Sequence, residues 1–229
     1  MNESSSSAIR FPGPFASLLL DCDGVMLDSN SLKTKAFRRI GLELGGPEIS
    51  EALANYHRQH GGLSRFKKFT WLKTILPSLK ATVEELALLY GAIVTEELAG
   101  IPETPGLRNL LEQCRRQGIP VFVVSGALET ELMQTMTARG LAPYLQGIYG
   151  SPRNKMEIVE TLLGQGAVQR PALFVGDSRY DCEVAAAFQF AMAFMTNYTE
   201  FEAYPQYCQE HGIEMIRDLR SLLPSPPVG

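Results

Sequence analysis

Short apolar runs that each stop at a turn or a polar residue alternate with amphipathic segments along most of this chain. Runs of this length, bounded by turn residues, are typical of buried strands, and apolar residues at helical spacing are typical of helices packed on a sheet. The runs fall at residues 18–20, 119–124, 147–149, 172–175 and 190–195. Their alternation with helices predicts an α/β fold built on a Rossmann-like parallel sheet, and a weaker strand and helix are predicted between 212 and 223.

Between the first two runs the chain shows helical patterns and no strand. A helix that starts at Ser29 is ended by Gly45 and Gly46, and Thr82 with Glu85 forms a capping-box pattern at the start of another helix. Helix alone, directly after the first strand, predicts an inserted all-helical domain. The predicted organisation is an α/β core at 15–28 and 101–223, a helical insertion at 29–100, and flexible tails at 1–14 and 224–229.

Composition and charge narrow the classes of protein that fit this pattern. The chain has 229 residues, 45% of them apolar, which can fill the core of one large domain or of a domain with an insertion. A formal net charge of −4 argues against nonspecific nucleic-acid binding. The four cysteines are widely separated, without a Cys-x-x-Cys pair, so neither a zinc site nor a disulfide scaffold is indicated. We expect a cytoplasmic protein without a membrane partner, because no signal peptide and no membrane-spanning run is visible.

Two carboxylates follow the first apolar run directly. Asp21 and Asp23 flank one residue, and Gly24 supplies the backbone freedom for a turn at the carboxyl end of a strand, where open α/β sheets bind their ligands. Like charges this close repel unless a cation or a proton lies between them. A hard metal such as Mg²⁺ takes oxygen ligands and leaves room for a substrate phosphate. Taken alone, the pair is also typical of a solvated acidic turn.

Polar residues also follow two later strands. Ser125 ends the run at 119–124, and Asp177 with Asp181 follows the run at 172–175, while Lys155 falls in the first turn of a helix whose start is predicted at Ser151 and Pro152. Each residue alone has an ordinary explanation, as a turn hydroxyl, a solvated lysine or acidic residues at a helix start. Because parallel strands point the same way, however, their ends converge on one edge of the sheet. The combination predicts a phosphoryl-transfer site.

The ordered set resembles a known family. The motifs Asp21-Cys22-Asp23-Gly24-Val25, Ser125-Gly126, Lys155 and Gly176-Asp177 with Asp181 are similar to the four motifs of the haloacid dehalogenase-like superfamily, in its phosphoglycolate phosphatase and β-phosphoglucomutase branch. The resemblance covers about residues 17–200, with the helical insertion as a cap. One departure is Met156, which stands directly after Lys155 where many of these phosphatases have proline. The resemblance implies Mg²⁺ as cofactor and a small phosphorylated metabolite as substrate.

The resemblance also implies a role for each core residue. Asp21 would be the nucleophile that forms an aspartyl-phosphate, and Asp23 the general acid and then the general base. Ser125 and the Gly126 amide would hold phosphate oxygens, together with Lys155, which would also neutralise the nucleophile. The implied metal ligands are Asp21, Asp23 and Asp177, with Asp181 supporting the metal or orienting Lys155. Superfamily members that cleave carbon–halogen bonds lack the second aspartate, so Asp23 favours phosphate chemistry.

One stretch of the helical insertion carries chemical groups that suggest substrate binding. Gly62, Ser64 and Arg65 resemble the Gly-x-Ser-Arg specificity loop of the β-phosphoglucomutase branch, and Ser64 can cap the helix that follows. Arg65, with Lys33 or Arg58, would recognise an anionic or polyhydroxylated leaving group, because a guanidinium suits bidentate contacts. The alternative is a helix–helix turn with solvated basic residues. His57 and His60 are interpreted as surface or hydrogen-bonded structural residues.

The sequence therefore favours a Mg²⁺-dependent phosphatase that acts on a small phosphorylated metabolite such as a sugar phosphate, a sugar-acid phosphate or phosphoglycolate. We expect a monomer or a homodimer and no nucleic-acid partner. A phosphosugar mutase of the β-phosphoglucomutase type is the main alternative, although such mutases usually carry an acidic residue where Gly176 stands. A non-catalytic binding protein on the same fold is a further alternative.

Overall fold

A six-stranded, all-parallel sheet lies at the centre of the computed structural model, which describes residues 15–223. The strands are β1 (Ser17–Leu20), β2 (Val121–Leu128), β3 (Gly147–Ser151), β4 (Ala172–Gly176), β5 (Ala191–Met195) and β6 (Glu214–Ile216). Their order across the sheet is β3-β2-β1-β4-β5-β6, so the chain first builds outward on one side of β1 and then on the other. The predicted Rossmann-like parallel sheet is confirmed, and the reversal of strand order at β1 creates a crevice at its carboxyl end.

Helices cover both faces of the sheet. The core helices are α4 (Leu107–Gln117), α5 (Glu129–Ala138), α6 (Lys155–Gly164), α7 (Arg179–Ala187) and α8 (Tyr204–His211), with short 3₁₀ turns at Ala142–Tyr144 and Leu219–Leu222; the labels α1 to α3 belong to the insertion. Leu18 and Leu20 pack with α4 and α5 on one face, whereas Leu19 packs with α6, α7 and α8 on the other. Because β1 is buried on both faces, its sequence is a continuous apolar run.

Three helices form the insertion between β1 and β2, and we call them the cap. They are α1 (Asn30–Gln59), α2 (Arg65–Ile75) and α3 (Val83–Leu98). Each helix contributes one aromatic residue to a shared core, namely Phe37, Phe69 and Tyr90. The ring centroid of Phe37 lies 5.4 Å from that of Phe69 and 4.4 Å from that of Tyr90. The predicted all-helical insertion is therefore confirmed. Gly45 and Gly46 interrupt α1 with non-helical backbone angles, at the position where the sequence predicts a helix end.

The two segments that connect the sheet to the cap lie side by side, and we call them the hinge (residues 25–28 and 102–104). Leu27 and Glu103 form an antiparallel bridge. The backbone N of Asp28 donates to the Pro102 carbonyl at 3.1 Å, and the backbone N of Thr104 donates to the Met26 carbonyl at 3.0 Å. The cap is thus attached to the sheet through one narrow, hydrogen-bonded pair of segments.

Several element boundaries differ from the sequence predictions. The strand predicted to end at Ser125 continues to Leu128, with a register irregularity after Val124. Helix α6 begins at Lys155 rather than near Ser151, because Asn154 and Glu157 form a reciprocal capping box. Helix α8 was missed, since the segment between residues 197 and 211 carries no clear apolar periodicity.

In the sequence, Thr104 as a cap and Pro105 at the first position indicate a helix start, but helix α4 begins at Leu107. Gly106 precedes it with a φ of +92°, and the Thr104 hydroxyl donates to the Val25 carbonyl in the hinge. The capping box of Thr82 and Glu85 at α3 is confirmed, with the Glu85 backbone N 3.1 Å from Thr82 Oγ1. The predicted tails at 1–14 and 224–229 lie outside the described residues, within which no helix has both the length and the apolar character needed to cross a bilayer.

Candidate active site

Three buried carboxylates meet at the carboxyl edge of the sheet. Asp21 follows β1, Asp177 follows the neighbouring β4, and Asp181 lies in the first turn of α7. One oxygen from each carboxylate lies within 4.8 Å of the other two, and all three side chains are buried. The structure therefore brings together residues that are up to 160 positions apart in the sequence, as the convergence of parallel strands predicts.

Lys155 lies within this carboxylate group as its counter-charge. Its Nζ is 2.8 Å from Asp21 Oδ2 and 2.6 Å from Asp181 Oδ1, and its side chain is fully buried. Burial opposes the charge, but the two carboxylates, Asp181 first and then Asp21, hold the pKa of Lys155 above its ordinary value. A cationic Lys155 between two acids is therefore the resting arrangement of the site.

Asp181 is held in place by its own helix. Its Oδ2 accepts from the backbone N of Ser178 at 3.1 Å and from Ser178 Oγ at 2.5 Å, and the Ser178 hydroxyl caps α7 in return. With Oδ1 bonded to Lys155, both oxygens of Asp181 have hydrogen-bond donors. This geometry suits a residue that orients Lys155, one of the two roles that the sequence resemblance implies for Asp181.

Asp177 is positioned from the cap. Asn30, the first residue of α1, donates its side-chain amide to Asp177 Oδ2 at 2.6 Å and to the Tyr198 carbonyl at 2.7 Å. The Thr199 hydroxyl donates to the Asp177 carbonyl at 2.5 Å. Asp177 is thus held through its main chain by the core and through its side chain by the cap.

Asp23 lies at the same edge but outside the group of three carboxylates. Its Oδ2 accepts from Lys33 Nζ at 2.5 Å and its Oδ1 from Ser29 Oγ at 2.5 Å. Burial pushes the pKa of Asp23 upward, but Lys33 outweighs it and, with the Ser29 hydrogen bond, holds that pKa below its ordinary value. Lys33, which the sequence left open between a solvated helix face and a substrate-binding residue, is buried against Asp23.

The pKa values of Asp21 and Asp177 shift upward, opposite to that of Asp23. Burial raises the pKa of Asp21 to about 6, with Lys155 acting against the rise, and burial followed by the charge of Asp21 raises that of Asp177 well above its ordinary value. Three carboxylates around one lysine leave an excess of negative charge in a buried place. Hard carboxylate oxygens in this number fit a divalent cation such as Mg²⁺, which prefers oxygen ligands.

The segment at Ser125 and Gly126 lies where the cap rests on the core. Ser125 is buried, and its Oγ accepts from the backbone N of Ala127 at 3.2 Å. Gly126 and Ala127 line the cavity described below. A Cβ at Gly126 would overlap the carbonyl oxygen of Gly62 in the cap, and Gly62 itself has a φ of +77°. Two glycines thus allow the two domains to touch through their backbones.

A cavity of about 60 Å³ opens between this edge and the cap. The core contributes Asp21, Asp23, Gly126, Asp177 and Ser178, and the cap contributes mainly basic and aromatic side chains, namely Lys33, Phe37, His57, Arg58, Arg65, Lys68 and Tyr90. Ser125 and Lys155 are buried and do not line this space. Lys155 lines a smaller neighbouring cavity that shares Gly62 and Gly126 with it. An anionic molecule in the cavity would face basic side chains on the cap side. On the core side, a cation would have to lie between this molecule and the acidic group.

Arg65 is the predicted specificity residue, and the structure pairs it with the core. Its Nη1 lies 2.8 Å from Oε1 of Glu131 in α5, and Nη2 contacts Oε2 of the same carboxylate. The guanidinium also stacks over the Tyr90 ring at 4.7 Å from the centroid, and the residue is 5% exposed. The solvated arginine that the sequence left as an alternative is wrong, and this cap–core ion pair was not foreseen.

The other predicted cap residues are distributed around the cavity. Ser64 precedes α2 as its N-cap without a side-chain capping bond, and it does not line the main cavity. Arg58 lines the cavity and bonds to Asn55. His57 is buried, so the surface interpretation of this residue is wrong and its hydrogen-bonded alternative is confirmed by a 2.6 Å contact between Nδ1 and Lys68 Nζ.

The residues at the site that were missed in the sequence include Asn30, Lys68, Glu131 and Glu200. Lys68 could have been predicted, because it follows Arg65 by three positions and therefore lies on the same face of the helix. Asn30 directly follows the acidic turn. Glu131 and Glu200 carry no such local signal, since only the folded chain brings them to the cap.

Comparisons with known proteins agree with this geometry. A family model described as haloacid dehalogenase-like hydrolase matches residues 16–189. The chain is 25% identical over 222 residues to a phosphoglycolate phosphatase from Pseudomonas putida, covering 93% of this chain and 81% of that protein.

Two solved structures show the same fold. The β-phosphoglucomutase from Clostridium difficile aligns with a TM-score of 0.71 at 13% identity, covering 91% of this chain and 93% of that one. CbbY from Rhodobacter sphaeroides, solved in complex with phosphate, aligns with a TM-score of 0.68 at 16% identity, covering 90% of this chain and 95% of that one. Since the family model spans most of the chain and agrees with the motifs, the protein belongs to the haloacid dehalogenase-like hydrolases and is an enzyme.

Proposed function

We propose that this enzyme is a Mg²⁺-dependent phosphatase that hydrolyses a small phosphorylated metabolite through an aspartyl-phosphate on Asp21. The observation that carries the proposal is the position of Asp21, which lines the cavity, contacts Lys155 at 2.8 Å and belongs to the group of three carboxylates. The 25% identical phosphoglycolate phosphatase of Pseudomonas putida supports phosphate chemistry.

The metal would be held by Asp21 and Asp177, with Asp181 in support. Mg²⁺ bound there would supply positive charge to the oxygens of the transferring phosphoryl group. The sequence resemblance also names Asp23 as a ligand, and its carboxylate lies outside the group of three, against Lys33 and Ser29.

In the first step, an oxygen of Asp21 attacks phosphorus, and the bond between phosphorus and the ester oxygen breaks. The leaving alcohol oxygen takes a proton from Asp23. In the second step, water attacks the aspartyl-phosphate while Asp23 takes up the water's proton, which releases inorganic phosphate and restores Asp21. Lys155 stays cationic beside the nucleophile throughout. The Lys33 contact favours the ionised Asp23 that the second step needs. The proton that Asp23 takes from water in the second step is the one it donates in the next first step.

The cavity favours a small substrate. A single water requires about 10–15 Å³ on the same scale, so a cavity of about 60 Å³ suits a small metabolite rather than a macromolecule. Opening and closing of the cap around the hinge would admit substrate and exclude bulk water during phosphoryl transfer.

A mutase of the β-phosphoglucomutase type is the weaker candidate. Such an enzyme would return the phosphoryl group from Asp21 to a second hydroxyl of the substrate. A Cβ at Gly176 would overlap the Asp181 side chain, so the acidic residue that the mutases carry at this position would not fit without a shift of Asp181. This packing supports hydrolysis over isomerisation.

The test is hydrolysis of p-nitrophenyl phosphate with and without Mg²⁺, in the wild type and in Asp21→Asn and Asp23→Asn variants. We expect metal-dependent turnover, no detectable turnover for Asp21→Asn, and a loss of about 10²–10⁴-fold for Asp23→Asn. Glu202→Gln, which removes an exposed carboxylate, is the matched control. Full activity in Asp21→Asn would end the proposal, and isomerisation of a hexose 1-phosphate activated by a bisphosphate would favour the mutase.

A further inference from the structure

The basic side chains of the cap do not all have carboxylate partners. Lys33 is paired with Asp23, and Arg65 is paired with Glu131. Lys68 also lines the cavity and is only 3% exposed, yet within residues 15–223 no carboxylate oxygen lies within 4.0 Å of its Nζ. Lys68 is therefore a buried amine whose charge is not locally compensated.

The contacts of Lys68 hold it in a defined position. Its Nζ lies 2.6 Å from His57 Nδ1 and 5.5 Å from the centroid of the Phe37 ring. Burial, followed by the charge of Lys68, holds the pKa of His57 well below its ordinary value, so this imidazole is neutral. An ammonium at Lys68 donates one hydrogen to Nδ1, which places the ring hydrogen on Nε2, 4.0 Å from Glu200 Oε2. Two of the three hydrogens of Lys68 remain for a ligand.

Such a lysine costs stability in the protein without ligand. Burial of a charge without a partner is unfavourable, and burial followed by the nearby charge of Lys33 lowers the pKa of Lys68 to about 7. An anion that binds beside Nζ would remove this penalty. Lys68 lines the same cavity as Asp21, so a ligand in that cavity can contact both residues.

We propose that Lys68, positioned by His57, binds a second anionic group of the substrate, so that the enzyme prefers phosphomonoesters whose alcohol portion is short and carries a carboxylate or a second phosphate. This inference rests on the proposed phosphatase function, because it assigns a further residue that lines the same cavity as Asp21. Asp21 receives the phosphoryl group, and Lys68 binds the anionic group of the leaving alcohol. Arg65, for which the sequence predicts this role, is already engaged by Glu131.

The test compares three phosphomonoesters in steady-state kinetics. 2-Phosphoglycolate carries a carboxylate, propane-1,3-diol bisphosphate carries a second phosphate, and ethyl phosphate carries neither. We expect Lys68→Met to raise KM for the preferred anionic ester about 10–100-fold, the range for loss of a charge-assisted hydrogen bond. The loss in kcat/KM for ethyl phosphate should be clearly smaller, because that ester has no second anionic group. Lys68→Arg should restore part of the affinity, and His57→Ala should raise KM for the same ester less than Lys68→Met does.

The matched control is Lys67→Met, which removes an exposed lysine from the neighbouring position of the same helix. The anionic ester whose KM rises more in Lys68→Met identifies whether Lys68 binds a carboxylate or a phosphate. An equal loss on all three esters, or no loss on any of them, would overturn the assignment of Lys68.

Binding measured without turnover separates this inference from the proposed function. In an Asp21→Asn background, calorimetric titration with 2-phosphoglycolate and propane-1,3-diol bisphosphate should show Kd for the preferred ester raised about 10–100-fold by Lys68→Met and unchanged by Lys67→Met. This result would support the anion site even if the wild type failed to hydrolyse any ester. Equal Kd values with and without Lys68 would reject the anion site even if the phosphatase activity were established.

Discussion

Immediate neighbours set the chemistry of single side chains at the carboxyl edge of the sheet. Asp21 and Asp23 are two positions apart, yet burial raises the pKa of the first to about 6, whereas Lys33 outweighs burial and lowers that of the second. Two identical carboxyl groups thereby acquire different properties. This difference suits a nucleophile held against Lys155 and a proton carrier held against Lys33.

Lys68 should make the stability of the protein depend on pH. Its pKa is about 7 when folded and 10.5 ordinarily, so below pH 7 both states are charged and the folded state bears the whole cost of the buried cation. Between pH 7 and 10.5 the folded state sheds its proton first, and the cost fades. The charged or titratable groups that act on Lys68 are Lys33, His57, Asp23, Glu200 and Asp21.

We therefore expect Lys68→Met to raise the free energy of unfolding near pH 6.5 and to change it progressively less toward pH 10. Urea unfolding of the wild type and the variant at pH 6.5, 8 and 9.5 measures this trend. Lys67→Met should show no such trend, because Lys67 is exposed. A variant that is less stable than the wild type at pH 6.5, or equally changed at all three values, would contradict the prediction.

Residues at strand ends could be predicted from the sequence, whereas their cap partners could not. Asp21, Asp177 and Lys155 each stand at a local signal, the end of an apolar run or the start of a helix, and parallel topology then brings them together. Glu131 is a polar residue at the start of a helical pattern, and nothing in its sequence neighbourhood indicates Arg65. Such contacts depend on how the cap settles on the sheet, which is a property of the tertiary fold.

At the scale of elements, the cap and the sheet meet through a few close contacts. The loop before α2 touches the end of β2 where Gly62 approaches Gly126, and α2 is joined to α5 by the ion pair of Arg65 and Glu131. The first residue of α1, Asn30, reaches the loop after β4. The cap therefore contacts the core both beside β4, through Asn30, and beside β2 and α5, through Gly62 and Arg65.

Gly126→Ala should prevent the cap from settling against the sheet. The new methyl group would overlap the Gly62 carbonyl oxygen, and neither backbone can rotate away as a long side chain could. We expect kcat/KM to fall about 100-fold, which is the order of loss for displacement of reacting groups by about 1 Å. Steady-state kinetics with p-nitrophenyl phosphate measures the effect. Gly164→Ala is the control, because a Cβ there meets nothing within 4 Å, and similar losses in both variants would refute the role of the contact.

The elements themselves could largely be predicted from periodicity, and the errors have local causes. The alternation of apolar runs and amphipathic segments identifies the sheet, and helical patterns without a strand identify the insertion as all-helical. The start of α6 was placed too early because Ser151 and Pro152 mimic a helix start, while Asn154 and Glu157 supply the actual capping box. The end of β2 was placed too early because Ser125 and Gly126 look like a turn, although the strand continues beside β3.

For the whole molecule, the excess of negative charge at one buried point links metal binding to stability. We expect Mg²⁺ to raise Tm, by about 5–10 °C at a hundredfold excess over Kd, since such binding contributes about 2.7 kcal/mol and each kcal/mol shifts Tm by about 2–4 °C at this size. Asp177→Asn should abolish most of this shift. It should also raise Tm without metal, because it removes one of three clustered negative charges.

Thermal unfolding with Mg²⁺ and with a chelator measures both changes, with Glu202→Gln as the control variant. An equal Mg²⁺ shift in the wild type and in Asp177→Asn would show that the ion binds elsewhere. A lower Tm for Asp177→Asn in chelator would show that the hydrogen bond from Asn30 matters more than the repulsion between the carboxylates.

The paired chain crossings at residues 25–28 and 102–104 make α1 to α3 an exchangeable cassette. Because the two ends of the cassette leave the sheet side by side, it can be replaced by the corresponding helices of a relative without lengthening any connection. A chimera of this kind would keep the recipient's nucleophile and place the donor's cap residues over the cavity. It would work only where the donor cap also supplies the groups that contact Asp23, Asp177 and Glu131, as Lys33, Asn30 and Arg65 do here.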